Sequence, residues 1–166
     1  MPTSQPDIDS RVRLHVLMPG DVVCAERGDR MQILLGSCIT IVLTDALHSV
    51  ATACHIVFHC ANPTRVRTAT SCAEVALARM YSMLRARGVT PESCSAYVIG
   101  GGNMFPALVS DGDVGQRNAA WAFERLYGDG IPVVLAEVGG PQYRRMTWLV
   151  GPDAPRIETV PVPKGL

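Results

Sequence analysis

Two apolar runs joined by a short link constrain this chain more than anything else in it. They are ITIVLTD, residues 39 to 45, and HSVATACHIVF, residues 48 to 58, with ALHS at the join. Residues 39 to 43 and 51 to 58 are almost continuously apolar rather than alternating, the pattern of strands covered on both faces. So short a link folds the second run back on the first as an antiparallel hairpin. VRLHVLM (12 to 18), a short piece near Val22 and Val23, and MQILL (31 to 35) read as strands upstream. SAYVIG (95 to 100) and IPVVLAEV (131 to 138) read as buried strands downstream, and MTWLV (146 to 150) as an edge or closing strand.

Helical periodicity appears only in the second half. Ser71 and Glu74 have the spacing of a capping box, Leu77, Met80, Tyr81 and Leu84 follow on one face, and Gly88 is the stop. A second helix is expected from about Gly115 to Tyr127, capped by Asp113, with Ala119, Ala122, Phe123 and Leu126 on one stripe. Strands first and helices later predict an α+β fold. A chain of 166 residues is enough for one domain with its own core. The boundaries expected are a polar tail over 1–11, the folded domain over 12–150 and a proline-rich tail over 151–166.

Charged residues make up only 18% of the chain and the formal net charge is zero, which removes the basic surface that nucleic acid requires. No run approaches the length of a membrane span, and MPTSQPDIDS lacks the form of an export signal. A cytoplasmic protein without direct membrane insertion is therefore expected, with its six cysteines reduced.

CHIVFHC, residues 54 to 60, gathers two cysteines and two histidines, the residue types that bind zinc. On a strand, however, neighbours point to opposite faces, so Cys54 and His55 cannot share an ion, nor can His59 and Cys60. No second ligand pair lies downstream and no metal is expected, with His55 and His59, which share a parity, leaving a two-histidine site as the alternative. LLGSCITIVL, residues 34 to 43, is the stronger candidate. Gly36 and Ser37 break two apolar runs, and Cys38 at the start of the second can project from the rim while nearby amides face a developing oxyanion. Such a thiol needs a base, and the hairpin brings His55 or a neighbour toward it. The glycine clusters IGGGNMF (99 to 105) and EVGG (137 to 140) lack the spacing of a phosphate or dinucleotide loop and read as tight turns with close backbone packing.

LGSC (35 to 38), a histidine 17 positions after that cysteine, GGGNMF (100 to 105), VGQRN (114 to 118) and GIPVVLAEVGG (130 to 140) together resemble the CheD family of chemoreceptor glutamine deamidases. The resemblance implies a single-domain sandwich of mixed β-sheets with flanking helices, similar to the catalytic domain of the cytotoxic necrotizing factor toxins. It implies a cysteine hydrolase acting on glutamine side chains in the cytoplasmic helical region of methyl-accepting receptors, with no cofactor. A CheC-type phosphatase is implied as a further partner. By motif the nucleophile falls on Cys38, with Gly36 and Ser37 as backbone support, and the general acid/base on His55. The family's threonine, six residues before the cysteine, is Gln32 here, while Thr40 and Thr44 do not align with it. A glutamine carbonyl can still accept from an imidazole. The departure leaves a binding module for receptors or the phosphatase as the alternative.

Overall fold

The run Ile39–Thr44 forms a strand, β4, whose six residues are all buried. It lies in the middle of a sheet covered on both sides. A computed structural model describes residues 12–59, 70–106 and 113–161 of the chain. Among them the five-stranded sheet runs β2 (Val22–Glu26), β5 (Val50–Cys54), β4, β6 (Ser95–Gly100) and β7 (Val133–Val138). Only β6 and β7 pair in parallel. The link after β4 makes the expected hairpin turn. The Asp45 carboxylate accepts from the amides of Ser49 at 2.7 Å and Val50 at 3.1 Å, and His48 adopts a positive φ of 49°.

A second, four-stranded sheet runs β1 (Leu14–Leu17), β3 (Arg30–Leu35), β8 (Tyr143–Leu149) and β9 (Arg156–Val160). Again one pair, β1 with β3, is parallel. Leu17, Met31, Ile33, Leu35, Met146 and Trp148 turn inward from it and meet Val42, Ala53, Tyr97 and Ile99 of the larger sheet. The opposite face of the larger sheet carries Ile39, Ile41, Leu43, Cys54 and Ile56. Helices α1 (Ala73–Ala86) and α2 (Val114–Gly128) pack there through Leu77, Met80, Leu84, Ala122 and Leu126. Full burial of each such aliphatic side chain contributes about 1.5–3 kcal/mol. The α+β sandwich of mixed sheets expected from the sequence is therefore present, with both described helices on one side and the outer face of the smaller sheet carrying none.

Four local expectations need correction. Ser71 and Glu74 form no capping box, since Cys72 is the N-cap of α1 and makes no side-chain cap bond. The Glu74 carboxylate is instead occupied by Trp121 Nε1 at 2.7 Å and Arg125 at 3.0 Å, both from α2. The strand foreseen at 146–150 begins earlier and is interior, paired with β3 on one side and β9 on the other. The segment expected to be a tail from residue 151 supplies β9, because Arg156–Val160 can complete the backbone ladder of β8 despite its flanking prolines. Cys72 is disulfide-bonded, against the expectation of reduced thiols, whereas Cys24, Cys38, Cys54 and Cys94 are free. The expected tail over 1–11 lies outside the described residues.

The glycine cluster closes the end of the larger sheet by backbone contact. Gly101 has a φ of +63°, and a Cβ on Gly115 at the start of α2 would lie 2.5 Å from the Gly101 carbonyl carbon. Backbone cannot yield to it as a flexible side chain could. Gly115→Ala is expected to lower unfolding stability by about 1–3 kcal/mol in urea titration. Gly128→Ala, with nothing within 4 Å of the added methyl, should be neutral or stabilising by up to about 1 kcal/mol.

Candidate active site

The turn before β4 is held through its three carbonyls, and Cys38 follows it half-buried. Gly36 O accepts from Gly102 N and Cys38 O from Gly101 N, each at 2.9 Å. Ser37 O accepts from Asn118 Nδ2 at 3.4 Å. In a trans peptide the carbonyl of one residue and the N–H of the next point in opposite directions. Fixing the Gly36 and Ser37 carbonyls thus turns the Ser37 amide away from Gly102 and the Cys38 amide away from Asn118. The Cys38 amide lies against its own sulfur. Gly36 itself is required by close approach: a Cβ there would meet Met104 Cε at 2.7 Å and Tyr143 Cε1 at 3.0 Å.

His55 comes to the same face through strand register. β4 pairs with β5 as Val42 with Ala53, and an isolated bridge between Ile39 and Ile56 continues that register to the hairpin's open end. Thr40 therefore stands across from His55, with Cys38 on the adjoining diagonal of the same face. Diagonal neighbours in an antiparallel pair sit roughly 7–8 Å apart, within reach of long side chains. Cys38 is half-buried against the inter-sheet core, and His55 is 4% exposed.

The imidazole is held from the smaller sheet. Its Nδ1 lies 3.2 Å from the carbonyl of Leu17, the last residue of β1. A carbonyl only accepts, so Nδ1 carries the proton and Nε2 keeps its lone pair. The His55 backbone is also tied to the turn after β1, donating to Asp21 O and accepting from Gly20 N, both at 2.9 Å.

Burial pushes the Cys38 thiol above its ordinary 9.0, against the smaller pull of its own amide. Burial likewise holds His55 below its ordinary 6.5, although the Leu17 hydrogen bond acts the other way. The Cys38 thiol and the His55 imidazole on this face are therefore both neutral at about pH 7. This arrangement suits a base that takes the proton as attack occurs, rather than a preformed ion pair.

Gln32 does not join them. Met31, Ile33 and Leu35 occupy the inward positions of β3, so the strand's alternation turns Gln32 to the outer face, in register with Val16 and Thr147. The spacing that aligned it with the family's threonine cannot carry it through the sheet. What the sequence reading missed is the Leu17 carbonyl, a backbone atom with no sequence signature. It also set aside Thr40, whose hydroxyl is buried without a partner.

The remaining members of CHIVFHC separate as strand alternation requires. Cys54 faces the helices, donates weakly to Ile41 O at 3.7 Å and has its pKa pushed up to about 12 by burial. His59 follows the bridge of Phe58 to Cys72, beyond the hairpin, and Cys60 lies outside the described residues. Among the described residues no three His, Cys, Asp or Glu side chains gather in a metal-binding group. No described helix is long and apolar enough to cross a membrane.

Comparison with known proteins agrees with the motifs. A family profile described as CheD chemotactic sensory transduction matches residues 59–151. "Probable chemoreceptor glutamine deamidase CheD 2" of Geobacter sulfurreducens is 30% identical over 131 residues, covering 78% of this chain and 79% of the relative. "Probable chemoreceptor glutamine deamidase CheD" of Caulobacter vibrioides is 30% identical over 141 residues, covering 84% and 74%. This chain belongs to the CheD family. The profile match in this CheD-family member begins after Cys38 and His55.

The charge states give a direct test. Iodoacetamide should alkylate Cys38 slowly near neutrality, at a rate that keeps rising with pH through 9.0, while Cys54 stays unreactive until the protein unfolds. A rate already level at about pH 7 would instead reveal a standing thiolate–imidazolium pair.

Proposed function

We propose that this chain is a cysteine-dependent deamidase that converts glutamine side chains of methyl-accepting chemotaxis receptors to glutamate. The observation that carries the reading is the placement of Cys38 and His55 on one face of the β4–β5 hairpin. The Leu17 carbonyl leaves His55 Nε2 as the free base.

The reaction follows from these positions. Nε2 takes the thiol proton as Sγ attacks the carboxamide carbon, and the carbonyl oxygen becomes an oxyanion received by the amides of Cys38 and Ser37. The imidazolium then returns its proton to the amide nitrogen, the C–N bond breaks and ammonia leaves a thioester. Water, deprotonated by the same nitrogen, attacks the thioester. The C–S bond breaks, the thiol recovers its proton and the product is glutamate. No step requires a metal or organic cofactor.

Members of the family with a threonine at position 32 were the ground for reading this chain as a binding module that had lost a catalytic group. The Leu17 carbonyl weakens that alternative, because the tautomer of His55 is fixed without any side chain at position 32. Receptors, through their cytoplasmic helical region, are the partners this reading assigns, with a CheC-type phosphatase as a further one.

Mass spectrometry of a receptor cytoplasmic fragment incubated with the protein should show glutamine-to-glutamate conversion. Cys38→Ala should abolish it, and His55→Ala should slow it by about 10²- to 10⁴-fold. His59→Ala and Gln32→Ala should remain active. Binding of the fragment without conversion would return the binding-module reading. Loss of activity in Gln32→Ala equal to that in His55→Ala would overturn the assignment of ring orientation to Leu17.

A further inference from the structure

We propose that Asn118 is a positioning residue for this reaction: it aims the Cys38 amide at the developing oxyanion and holds the strand carrying His55 beside it. The proposal rests on the deamidase reading above. Asn118 lies on α2 among the buried residues Gly115, Ala119, Ala122 and Leu126, and is itself 1% exposed. Its Nδ2 group donates to two carbonyls far apart in sequence, Ser37 at 3.4 Å and Val57 at 3.0 Å. One precedes the nucleophile and the other lies two residues beyond the base.

The Ser37 bond is the informative one. Three successive carbonyls define the turn, and those of Gly36 and Cys38 are held by backbone amides of Gly102 and Gly101. Only the middle carbonyl is held by a side chain. That peptide also carries the Cys38 N–H, which lies against Sγ. Releasing the Ser37 oxygen would free the plane to rotate and swing the donor away from the sulfur, whereas its neighbours would stay pinned.

The energetics argue against a purely structural role. Asn118 Oδ1 is buried without a partner, so the side chain is desolvated with half of its hydrogen-bonding capacity unused. An apolar residue of similar size would avoid that cost but would leave the Ser37 and Val57 carbonyls without this donor, so the polar side chain is kept for those two bonds. The reach of the amide is set by α2, whose first turn is held to the glycine loop by the contact of Gly115 with Gly101 and Gly102.

The test compares Asn118→Ala and Asn118→Asp with the parent protein. Asp keeps the shape of the side chain and loses its Nδ2 donor, so agreement between the variants assigns the effect to the donor rather than to a cavity. With the receptor fragment as substrate, kcat should fall about 10- to 100-fold in both, less than for outright loss of an oxyanion donor, with KM within about threefold. Thermal unfolding should show folded protein, and Cys38 alkylation by iodoacetamide should reach the parent's limiting rate at high pH, its profile moved only upward in pH as the thiol loses the pull of its own amide. A kcat within about threefold of the parent, or a limiting alkylation rate that falls in step with kcat, overturns the proposal.

If the parent converts no receptor glutamine, the deamidase reading has failed, and a second probe decides this proposal alone. Butanal, an aldehyde of roughly the length of the glutamine side chain, forms a hemithioacetal when Sγ adds to its carbonyl carbon and the thiol proton passes to the oxygen. An adduct about tenfold weaker in both variants supports the assignment. Equal adducts in all three proteins overturn it.

Discussion

The paired backbone hydrogen bonds between Ile39 and Ile56, at 3.0 and 2.8 Å, hold the open end of the β4–β5 hairpin in register. The site depends on them. A strand slipped by one residue presents its other face, which here would turn His55 toward the helices and Cys54 toward the space between the sheets. Two core residues thus decide which half of a Cys-His dipeptide shares a face with Cys38. Their side chains point to the helix layer, so the packing of α1 and α2 supports the register from one face while Val42 and Ala53 pack against the smaller sheet on the other.

Much of this was legible in the sequence, and the errors have physical reasons. Continuous apolar runs identified β4 and β5 as doubly covered, and a short link made them a hairpin, whose register puts His55 and Cys38 on one face. Gln32 was misread by counting positions back from the cysteine. The alternation of Met31, Ile33 and Leu35 already contradicted it, since a polar residue between inward apolar neighbours belongs to the outer face. Strand β9 was hidden by the prolines on either side of RIETV, because composition reports flexibility where a neighbouring strand supplies order. The Ser71–Glu74 spacing mimicked a cap, but Glu74 finds a better-placed donor set on α2. Nothing in the sequence could have pointed to the Leu17 carbonyl. Asn118 did carry a signal, as a polar residue among the small and apolar positions of an amphipathic helix.

The glycines of the second half do work that no side chain could share. Gly100, Gly101, Gly102 and Gly115 let the end of β6, the following loop and the first turn of α2 approach one another at backbone distance. Their amides reach the carbonyls before and at Cys38 because nothing intervenes. The turn at Cys38 is therefore braced by main chain from the glycine loop, with the Asn118 side chain holding the Ser37 carbonyl between. The phosphate-loop look of GGGN arises from the same property, small residues that let a backbone come close, used here against protein rather than ligand.

The neutral resting state of Cys38 also bears on chemical survival. Peroxides and disulfides react with thiolates, hardly with thiols. A sulfur kept protonated by its half-buried surroundings presents little to an oxidant. The same desolvation that keeps His55 neutral therefore shields Cys38 from oxidation.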